Sequence, residues 1–396
     1  MELSWLLNGI FVIFDVKQSA TSIIEEGFTM IVWHAYKNKV IYIDDDGRIE
    51  YNKGKICYID NRNNCVVFQY GFRTNFLIKL FSGIPIFERL LRCEPRYATR
   101  WSKTEFLVSH RRYLYKIDLE KRIGIPLFQY AYGTNNPLHF CNYIRKGNNE
   151  LVFGDYGGHD TKGNVGIYRY TEDGLCEIAC FPKDKICHVH RVEYDMYRDI
   201  YWIFTGDADK ESGIWHVKYE GGQIAPYLIG KQKYRACVAF VKRETLLFAT
   251  DSPHEKNYIY SVNLKNKNVR QLGCLPGPCI NGASVKTDSE ENYCFSTSVE
   301  PDSMLPKCVY MFTYKLGRGI ADRFSYVIIG NEKSGFETVW HSKKDIFPMW
   351  FFQFGNHRFP NQQIHNKVYF CPQSCSGVNG TFVCDLSGEG GTELGG

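Results

Sequence analysis

The chain has 396 residues, of which 44% are hydrophobic and 15% aromatic, and its formal net charge is +5 at pH 7. The 27 Tyr and 27 Phe favour β-sheet, because these side chains suit a pleated, half-buried surface. The small positive charge is not gathered into a basic stripe, which excludes the usual pattern of a nucleic-acid-binding protein. We therefore expect an all-β protein with no nucleic-acid partner.

The N-terminal segment, MELSWLLNGIFVIFDV, contains an apolar run that Asn8 interrupts and Asp15 closes. It lacks the basic start and the small-residue cleavage site of a signal peptide, and it is too short to span a bilayer. We therefore predict a cytoplasmic protein with no membrane span. Most of the 15 cysteines lie in apolar, strand-like runs, so they are expected to be small buried side chains and not a disulfide framework.

A strand–turn–strand pattern recurs about every 45–50 residues from Cys65 to the C-terminus, which is the signature of a repeat fold. Its seven hairpins begin at Cys65, Glu105, Glu150, Tyr201, Leu246, Tyr293 and Val368. Shorter apolar strands lie between the hairpins, so each unit offers four strands, which is the content of one propeller blade. This predicts an all-β fold, a β-propeller of four-stranded antiparallel blades. Seven blades are expected, or six if the segment before Arg96 is an appendage.

The repeat also predicts the domain organisation. Residues 1–396 are expected to form a single propeller domain. Residues 1–60 are interpreted as an N-terminal segment that completes the terminal blade, with NGIFVIFDV at 8–16 as the closing strand. The spacing from Phe295 to Phe370 exceeds the others, which predicts an insertion that includes residues 315–345.

Blade topology indicates which polar residues meet. In an antiparallel meander, the start of the first strand and the end of the second lie side by side on one rim. Those places carry many charged and imidazole side chains, namely Arg96, Arg100, His110, His139, Asp155, Tyr156, His188, His190, Arg191, Asp207, Arg235 and Asp251. We expect these residues to surround the mouth of the propeller channel as a functional site.

The sharpest local signal is CHVHRVEYDMYRDIYWIFTGDADKESGIW, in which His188 and His190 share one face of a strand and Arg191 points to the other. The histidine pair could exchange protons with a sugar. It could also coordinate a metal, with His139 or Asp207 as third ligand. The remaining interpretations are that the pair orients a bound glycan, or that it ties down neighbouring loops through buried hydrogen bonds.

Carboxylates alternate from Asp207 to Glu211, as they do in a calcium loop. This string lacks the glycine and the distant glutamate of an EF-hand, and a turn capped by aspartate side chains accounts for it equally well. No cysteine pair has zinc-finger spacing. We therefore predict that the protein holds no metal and no cofactor.

Arg100, Arg191 and Arg235 are expected near the channel mouth. Several convergent guanidinium groups would bind a carboxylate through bidentate hydrogen bonds, and a uronic or sialic acid would fit such a site. In the alternative interpretation, these arginines pair with the aspartates of the rim and join neighbouring blades.

Residues 150–215 resemble the sialidase-like β-propellers of the BNR or Asp-box repeat superfamily. The stretch GDYGGHDTKGNVGIYRYTEDG resembles their G-(D/E)-Y strand and Asp-box hairpin, and HVHRVEYDMYRDIYWIFTGDADKESGIW resembles the segment that follows it in them. The hairpin keeps Asp173 and Gly174 of the Asp box but has Tyr170 and Leu175 in place of its Ser and Thr. No nucleophile pair and no arginine triad of a sialidase can be assigned, so sialidase activity is not expected.

The resemblance implies a carbohydrate-active protein that acts on or binds an acidic oligosaccharide or polysaccharide, as a glycoside hydrolase or a polysaccharide lyase. Some lyases of similar architecture use a His base and a Tyr acid, which His190 and Tyr156 could supply. His188 and Asp207 complete the predicted catalytic set. The predicted substrate-binding residues are His139, Asp155, Arg100, Arg191, Arg235 and Asp251. The alternative is a non-catalytic propeller that binds a glycan or a protein partner.

Overall fold

The structure, a computed structural model, describes residues 21–25, 28–72, 83–130, 136–157 and 163–387. Its strands form seven antiparallel sheets, and the innermost strands of most successive sheets contact one another around a common axis. The chain is therefore a seven-bladed β-propeller, as its repeat pattern predicts.

The blades follow one another along the chain, and within each blade the chain runs from the innermost strand outward. The first two strands, β1 (Thr21–Glu25) and β2 (Phe28–Tyr36), belong to the last blade. Blade one contains β3 (Lys39–Ile43), β4 (Gly47–Asn52), β5 (Lys55–Asp60) and β6 (Cys65–Gly71). Blade two contains β7 (Tyr97–Arg100), β8 (Glu105–His110), β9 (Tyr113–Asp118) and β10 (Ile123–Gln129).

Blade three contains β11 (Cys141–Arg145), β12 (Asn148–Gly154), β13 (Val165–Thr171) and β14 (Gly174–Phe181). Blade four contains β15 (Val189–Asp195), β16 (Ile200–Thr205), β17 (Gly213–Lys218) and β18 (Ala225–Ile229). Blade five contains β19 (Ala236–Val241), β20 (Thr245–Thr250), β21 (Asn257–Asn263) and β22 (Val269–Leu275).

Blade six contains β23 (Cys279–Lys286), β24 (Glu291–Thr297), β25 (Phe324–Asn331) and β26 (Gly335–Lys343). Blade seven begins with β27 (Asn356–Arg358), β28 (Lys367–Gln373) and β29 (Thr381–Asp385), and β2 and β1 complete it. The helices are short: Pro85–Leu90, Lys307–Tyr310 and Met349–Phe352, with 3₁₀ turns at Asp209–Glu211 and Gln232–Tyr234. Within the described residues, none of the helices has the length and apolar character needed to cross a membrane.

The second strands of the blades are buried on both faces. In β8, β16 and β20 every residue after the first is buried. A blade is covered on both sides by its neighbours, so these strands need apolar side chains on both faces and read as continuous apolar runs. The outermost strands β6 and β10 are largely exposed, which limits the core to the inner part of each blade.

Blade seven joins the two ends of the chain. Strand β2 pairs with β29, and Val32 lies opposite Cys384 in this register. The Val32 side chain is only 2% exposed and belongs to the same core cluster as Phe370 and Cys384. The N-terminal chain thus closes the ring through β2. The closing strand that the sequence predicted at residues 8–16 lies outside the described residues.

The segment before Arg96 forms the complete blade one, and the hairpin at its centre is β4–β5. The first strand of the hairpin predicted to begin at Cys65 is instead the outermost strand β6, and its predicted second strand at 75–81 lies outside the described residues. The apolar pattern misses β4 because this strand buries Arg48 and Glu50, which pair with each other at 2.7 Å. An internal ion pair therefore makes a buried strand look polar in sequence.

Blade six contains additional residues, but they do not coincide with the insertion predicted at 315–345. Strands β25 and β26 occupy 324–343, which is most of that range. The additional residues lie at 298–323, between β24 and β25, and at 344–355, between β26 and β27. The two segments contact each other through the rings of Tyr310 and Trp350. Their aromatic content resembles that of a strand, which is why the sequence pattern places the hairpin too early.

Ring closure gives a stability prediction. Replacing Val32 with Asp would bury an unpaired charge in the seam between the chain ends, so we expect the free energy of unfolding to fall by more than about 3 kcal/mol. The matched control is Trp33→Ser on the exposed face of the same strand, which should cost less than about 1 kcal/mol. Urea unfolding followed by tryptophan fluorescence would measure both, and equal losses would contradict closure through β2.

Candidate functional site

The innermost strands surround an axial cavity of about 970 Å³, lined by residues in or beside the innermost strand of every blade. Four of these strands contain a β-bulge whose extra residue is Ile41, His190, Cys237 or Ile280. All four residues line the cavity. A bulge re-aims a side chain without ending its strand, so it directs these residues toward the axis. In β15 the bulge also brings Arg191 into the lining with His190, although strand alternation would send these two side chains to opposite faces.

His188, His190 and Asp207 form a compact group on one wall, which we call the His–Asp centre. The Nε2 atoms of the two histidines are 3.1 Å apart. His188 Nε2 lies 3.7 Å from Asp207 Oδ2, and His190 Nε2 lies 3.6 Å from Asp207 Oδ1. Three potential ligand or acid–base groups therefore meet at one point of the cavity wall.

The protonation of the histidine pair follows from its neighbours. His188 Nδ1 lies 3.0 Å from the carbonyl oxygen of Gly157, which can only accept, so this nitrogen carries the proton. Burial lowers the pKa of His188 to about 4, so the ring is neutral at pH 7 with its lone pair on Nε2. His190 Nε2–H then donates to that lone pair. A neutral imidazole can accept a proton or bind a metal ion.

Local backbone geometry holds the centre in place. Asp207 has a φ of 88°, in the left-handed region, and its carbonyl accepts hydrogen bonds from Gln232 Nε2 at 2.9 Å and Arg235 Nη1 at 3.1 Å. A Cβ atom on Gly206 would lie 2.3 Å from His190 Cε1, so only glycine lets the imidazole approach this closely. Strained residues of this kind persist where their surroundings hold them, and they cluster at functional sites.

Arg235 links the His–Asp centre to blade five. Its Nη2 lies 3.2 Å from Asp207 Oδ1, and its Nε lies 3.4 Å from Asp251 Oδ2. The Cys237 thiol also donates to Asp251, at 3.2 Å. One guanidinium therefore serves two carboxylates, which gives this wall an excess of negative charge.

Glu300 lies in the same cavity lining, just after β24. Burial and the nearby charge of Asp251 raise the pKa of its carboxyl group to about 7. Sequence reasoning missed Glu300, although the same rule finds it: it follows a second strand, as Asp207 and Asp251 do. Ser298 and Val299 separate Glu300 from the end of β24, and an insertion follows it, so its equivalence to Asp207 and Asp251 is not evident in the sequence.

Arg96 lies in the cavity lining without a carboxylate partner among the described residues, and its Nη1 is buried with no hydrogen bond there. Burial lowers the pKa of Arg96 to about 10, so it remains charged at pH 7. The Tyr156 ring centre lies 5.8 Å from Arg96 Cζ, and the same ring packs edge-on against His188, with centroids 4.5 Å apart. Tyr156 therefore spans the space between an uncompensated cation and the His–Asp centre.

The structure brings most of the predicted site residues into one lining, namely His139, Tyr156, His188, His190, Arg191, Asp207, Arg235 and Asp251. The carboxylate of Asp155 instead accepts hydrogen bonds within blade three, from the Gly166 amide at 2.8 Å and from Tyr168. Arg100 donates to Asp44 at 2.7 Å, between blades one and two.

The position of Arg100 has a local cause. Arg100 is the last residue of β7, so it lies at the end of the strand away from the cavity, whereas Arg96 precedes the strand. His110 is also outside the lining: its Nε2 lies 3.0 Å from the Cys93 carbonyl, beneath the Phe72 ring.

No protein-family model and no curated protein matches the chain. Among solved structures, an oligogalacturonate lyase from Vibrio parahaemolyticus is 10% identical, with a TM-score of 0.49 over 93% of this chain and 97% of that one. A dihydro-heme d1 dehydrogenase is 11% identical, with a TM-score of 0.47, and the match covers 83% of this chain but only 59% of the dehydrogenase. These similarities extend no further than the fold.

The raised pKa of Glu300 predicts a pH dependence of stability. The folded protein holds the Glu300 proton more tightly than the unfolded chain, so this group's stabilising contribution is complete below about pH 4.5 and is lost as the pH rises to about 7. Glu300→Gln should remove that contribution, so the variant should gain stability relative to the wild type as the pH rises through this window. Chemical unfolding of both proteins across the window measures the difference, and a constant difference would contradict the shift.

Proposed function

We propose that this chain is a carbohydrate-active enzyme that cleaves an acidic glycan in the axial cavity, as a polysaccharide lyase. The observation that carries the proposal is the placement of Arg96, a half-buried cation with no carboxylate partner among the described residues, beside the His–Asp centre, with Tyr156 between them. An anion-binding group and acid–base groups thus face a single cavity.

The state of Arg96 supports an anionic ligand. A buried charge without a partner is costly, and a carboxylate that enters the cavity would compensate it through charge-assisted hydrogen bonds. Arg92 also lines the cavity, and its charge adds to the positive potential at Arg96. A uronic acid or another acidic sugar has the carboxylate that this side of the cavity lacks.

The chemistry that fits these groups is elimination. In a lyase the C–H bond beside the sugar carboxylate breaks, a C=C bond forms, and the glycosidic C–O bond breaks. Arg96 would neutralise the carboxylate, which makes that hydrogen more acidic, and the His–Asp centre would take up the proton. Burial raises the pKa of Tyr156, so its hydroxyl stays protonated and would give its proton to the leaving oxygen.

The carboxylates of the cavity favour elimination over hydrolysis. A glycoside hydrolase of the usual kind needs two carboxyl groups on opposite sides of the scissile bond. Asp207 and Asp251 both contact Arg235, so they lie on the same wall and share one cation. Among the described carboxyl groups, Glu300 alone combines a cavity position with a pKa suited to an acid near pH 7.

The sialidase-like superfamily and the cytoplasmic location stay predictions from the sequence. A cytoplasmic enzyme of this kind would make or process surface polysaccharide inside the cell and would not digest external polymer.

The reaction is tested by a screen of acidic and neutral oligosaccharides that follows both new reducing ends and the absorbance of unsaturated products. We expect unsaturated products from an acidic substrate. His190→Ala should abolish turnover, because it removes half of the histidine pair, while circular dichroism reports an intact fold. Reducing ends without unsaturation would indicate a hydrolase, and binding without any product would indicate a non-catalytic glycan-binding propeller; both outcomes contradict the lyase.

Arg96 provides a separate prediction for binding. Arg96→Gln should weaken binding of an acidic oligosaccharide about 10- to 100-fold, because a charge-assisted hydrogen bond contributes roughly 1.5–3 kcal/mol. Arg100→Gln is the control, since Arg100 is held by Asp44 outside the cavity and should leave the affinity unchanged. Isothermal titration with uronate oligosaccharides measures both, and equal effects of the two substitutions would exclude Arg96 as the anion-binding group.

A further inference from the structure

We infer that the His–Asp centre binds a divalent transition-metal ion through His188 Nε2, His190 Nε2 and the Asp207 carboxylate. The sequence alone offered metal binding only as one interpretation of the histidine pair, and its overall prediction was that no metal is held. The three-dimensional arrangement of these atoms changes that prediction.

The separations of the three groups match a metal site. The two imidazole Nε2 atoms are 3.1 Å apart, and each lies 3.6–3.7 Å from one oxygen of the Asp207 carboxylate, a spacing close to that of ligand atoms that share an ion through bonds of about 2 Å. Two imidazoles and one carboxylate are also an established ligand set for catalytic zinc and for other first-row divalent ions.

The surroundings resemble those of a ligand shell. A metal-binding histidine usually donates its other ring N–H to a carbonyl or carboxylate, which fixes the ring, and His188 Nδ1 does so to Gly157. The bulge at His190 and the contact of its ring with Gly206 hold the second imidazole in place. To bind the ion, His190 must carry its proton on Nδ1 and not on Nε2, and Nδ1 has no hydrogen-bond partner among the described residues. The hydrogen bonds that the Asp207 carbonyl accepts fix the backbone of the third ligand, so the three side chains are held together before any ion binds.

The local charge favours a cation. Asp207 and Asp251 carry two negative charges, and Arg235 is the cation that contacts both. A divalent ion would therefore enter a region of net negative charge, although Arg235 partly offsets it. With three protein ligands, the remaining coordination positions would face the cavity and would be open to water or to a substrate oxygen.

Two cysteines offer competing ligand sets. Cys187 lies near His188 and Asp207, and Cys237 lies near His190 and Asp251. Cys187 is absent from the cavity lining, and the Cys237 thiol is engaged by Asp251 at 3.2 Å. We therefore assign the ion to the imidazole and carboxylate set, whose three groups all line the cavity.

The ion would refine the proposed lyase reaction. A metal lowers the pKa of its bound water, and the resulting hydroxide would be the proton acceptor of the His–Asp centre, with its O–H bond forming as the substrate C–H bond breaks. Metal binding itself does not rest on the proposed function, because it is measured without any glycan.

The test uses the full chain after dialysis against EDTA, titrated calorimetrically with Zn²⁺ and with Mn²⁺, with bound metal counted by mass spectrometry. We expect one ion per chain. His188→Gln, His190→Gln and Asp207→Asn should each lower the affinity at least tenfold. Gly206→Ala keeps every ligand but displaces the His190 ring, so it should also weaken binding. His139→Gln, in the same cavity lining, is the matched control and should retain the ion.

The wild-type chain loaded with Co²⁺ gives a readout that does not require a variant to fold. We expect weak d–d bands without the intense near-ultraviolet band of a cobalt–thiolate bond. Failure of the wild type to bind either Zn²⁺ or Mn²⁺ would overturn the proposal, as would a thiolate band or loss of the ion in Cys187→Ser or Cys237→Ser. A chain that binds one ion but cleaves no acidic glycan would contradict only the lyase function, and cleavage by the ion-free chain would contradict only the metal's role in the reaction.

Discussion

The pairing of β2 with β29 is the constraint on which the rest of the molecule depends. The axial cavity exists only because seven innermost strands face one another, and this needs the ring to be closed by strands from both ends of the chain. The seam is stabilised by burial of apolar side chains such as Val32 and Phe370 in one shared cluster. The polar residues of the cavity are therefore supported by an apolar contact far from them in sequence.

Within the closed ring, small backbone irregularities place the chemistry. A regular strand would send His190 and Arg191 to opposite faces, but the bulge in β15 brings both into the cavity lining. Gly206, which follows β16, lets the backbone approach the His190 imidazole closely. The left-handed backbone of Asp207 then places its carboxylate beside the two histidines. Each irregularity costs stability locally, and each is located at the His–Asp centre.

The cavity is divided by charge. One wall holds Asp207 and Asp251 around a single arginine, and Arg96 lies beyond Tyr156 with no carboxylate partner in the described part of the chain. A cation on the first wall and an anion at Arg96 would each complete a part of the cavity that the protein leaves unbalanced. An acidic sugar held by Arg96 would be brought toward a metal at the centre, so the two proposals describe one site from its two sides.

The order of residues along the chain was enough to predict the repeat, the blade count and the meeting of His188, His190, Asp207 and Asp251, because period-two alternation and strand ends are local properties. The burial of Arg48 and Glu50, the position of Arg100 outside the cavity lining and the inward orientation of Arg191 depend on how the strands pack in three dimensions. A buried ion pair hides β4 from the apolar pattern, the true start of β7 selects Arg96 over Arg100, and a bulge turns Arg191 inward. The separations within the His–Asp centre likewise depend on contacts between strands, which spacing along the chain does not encode.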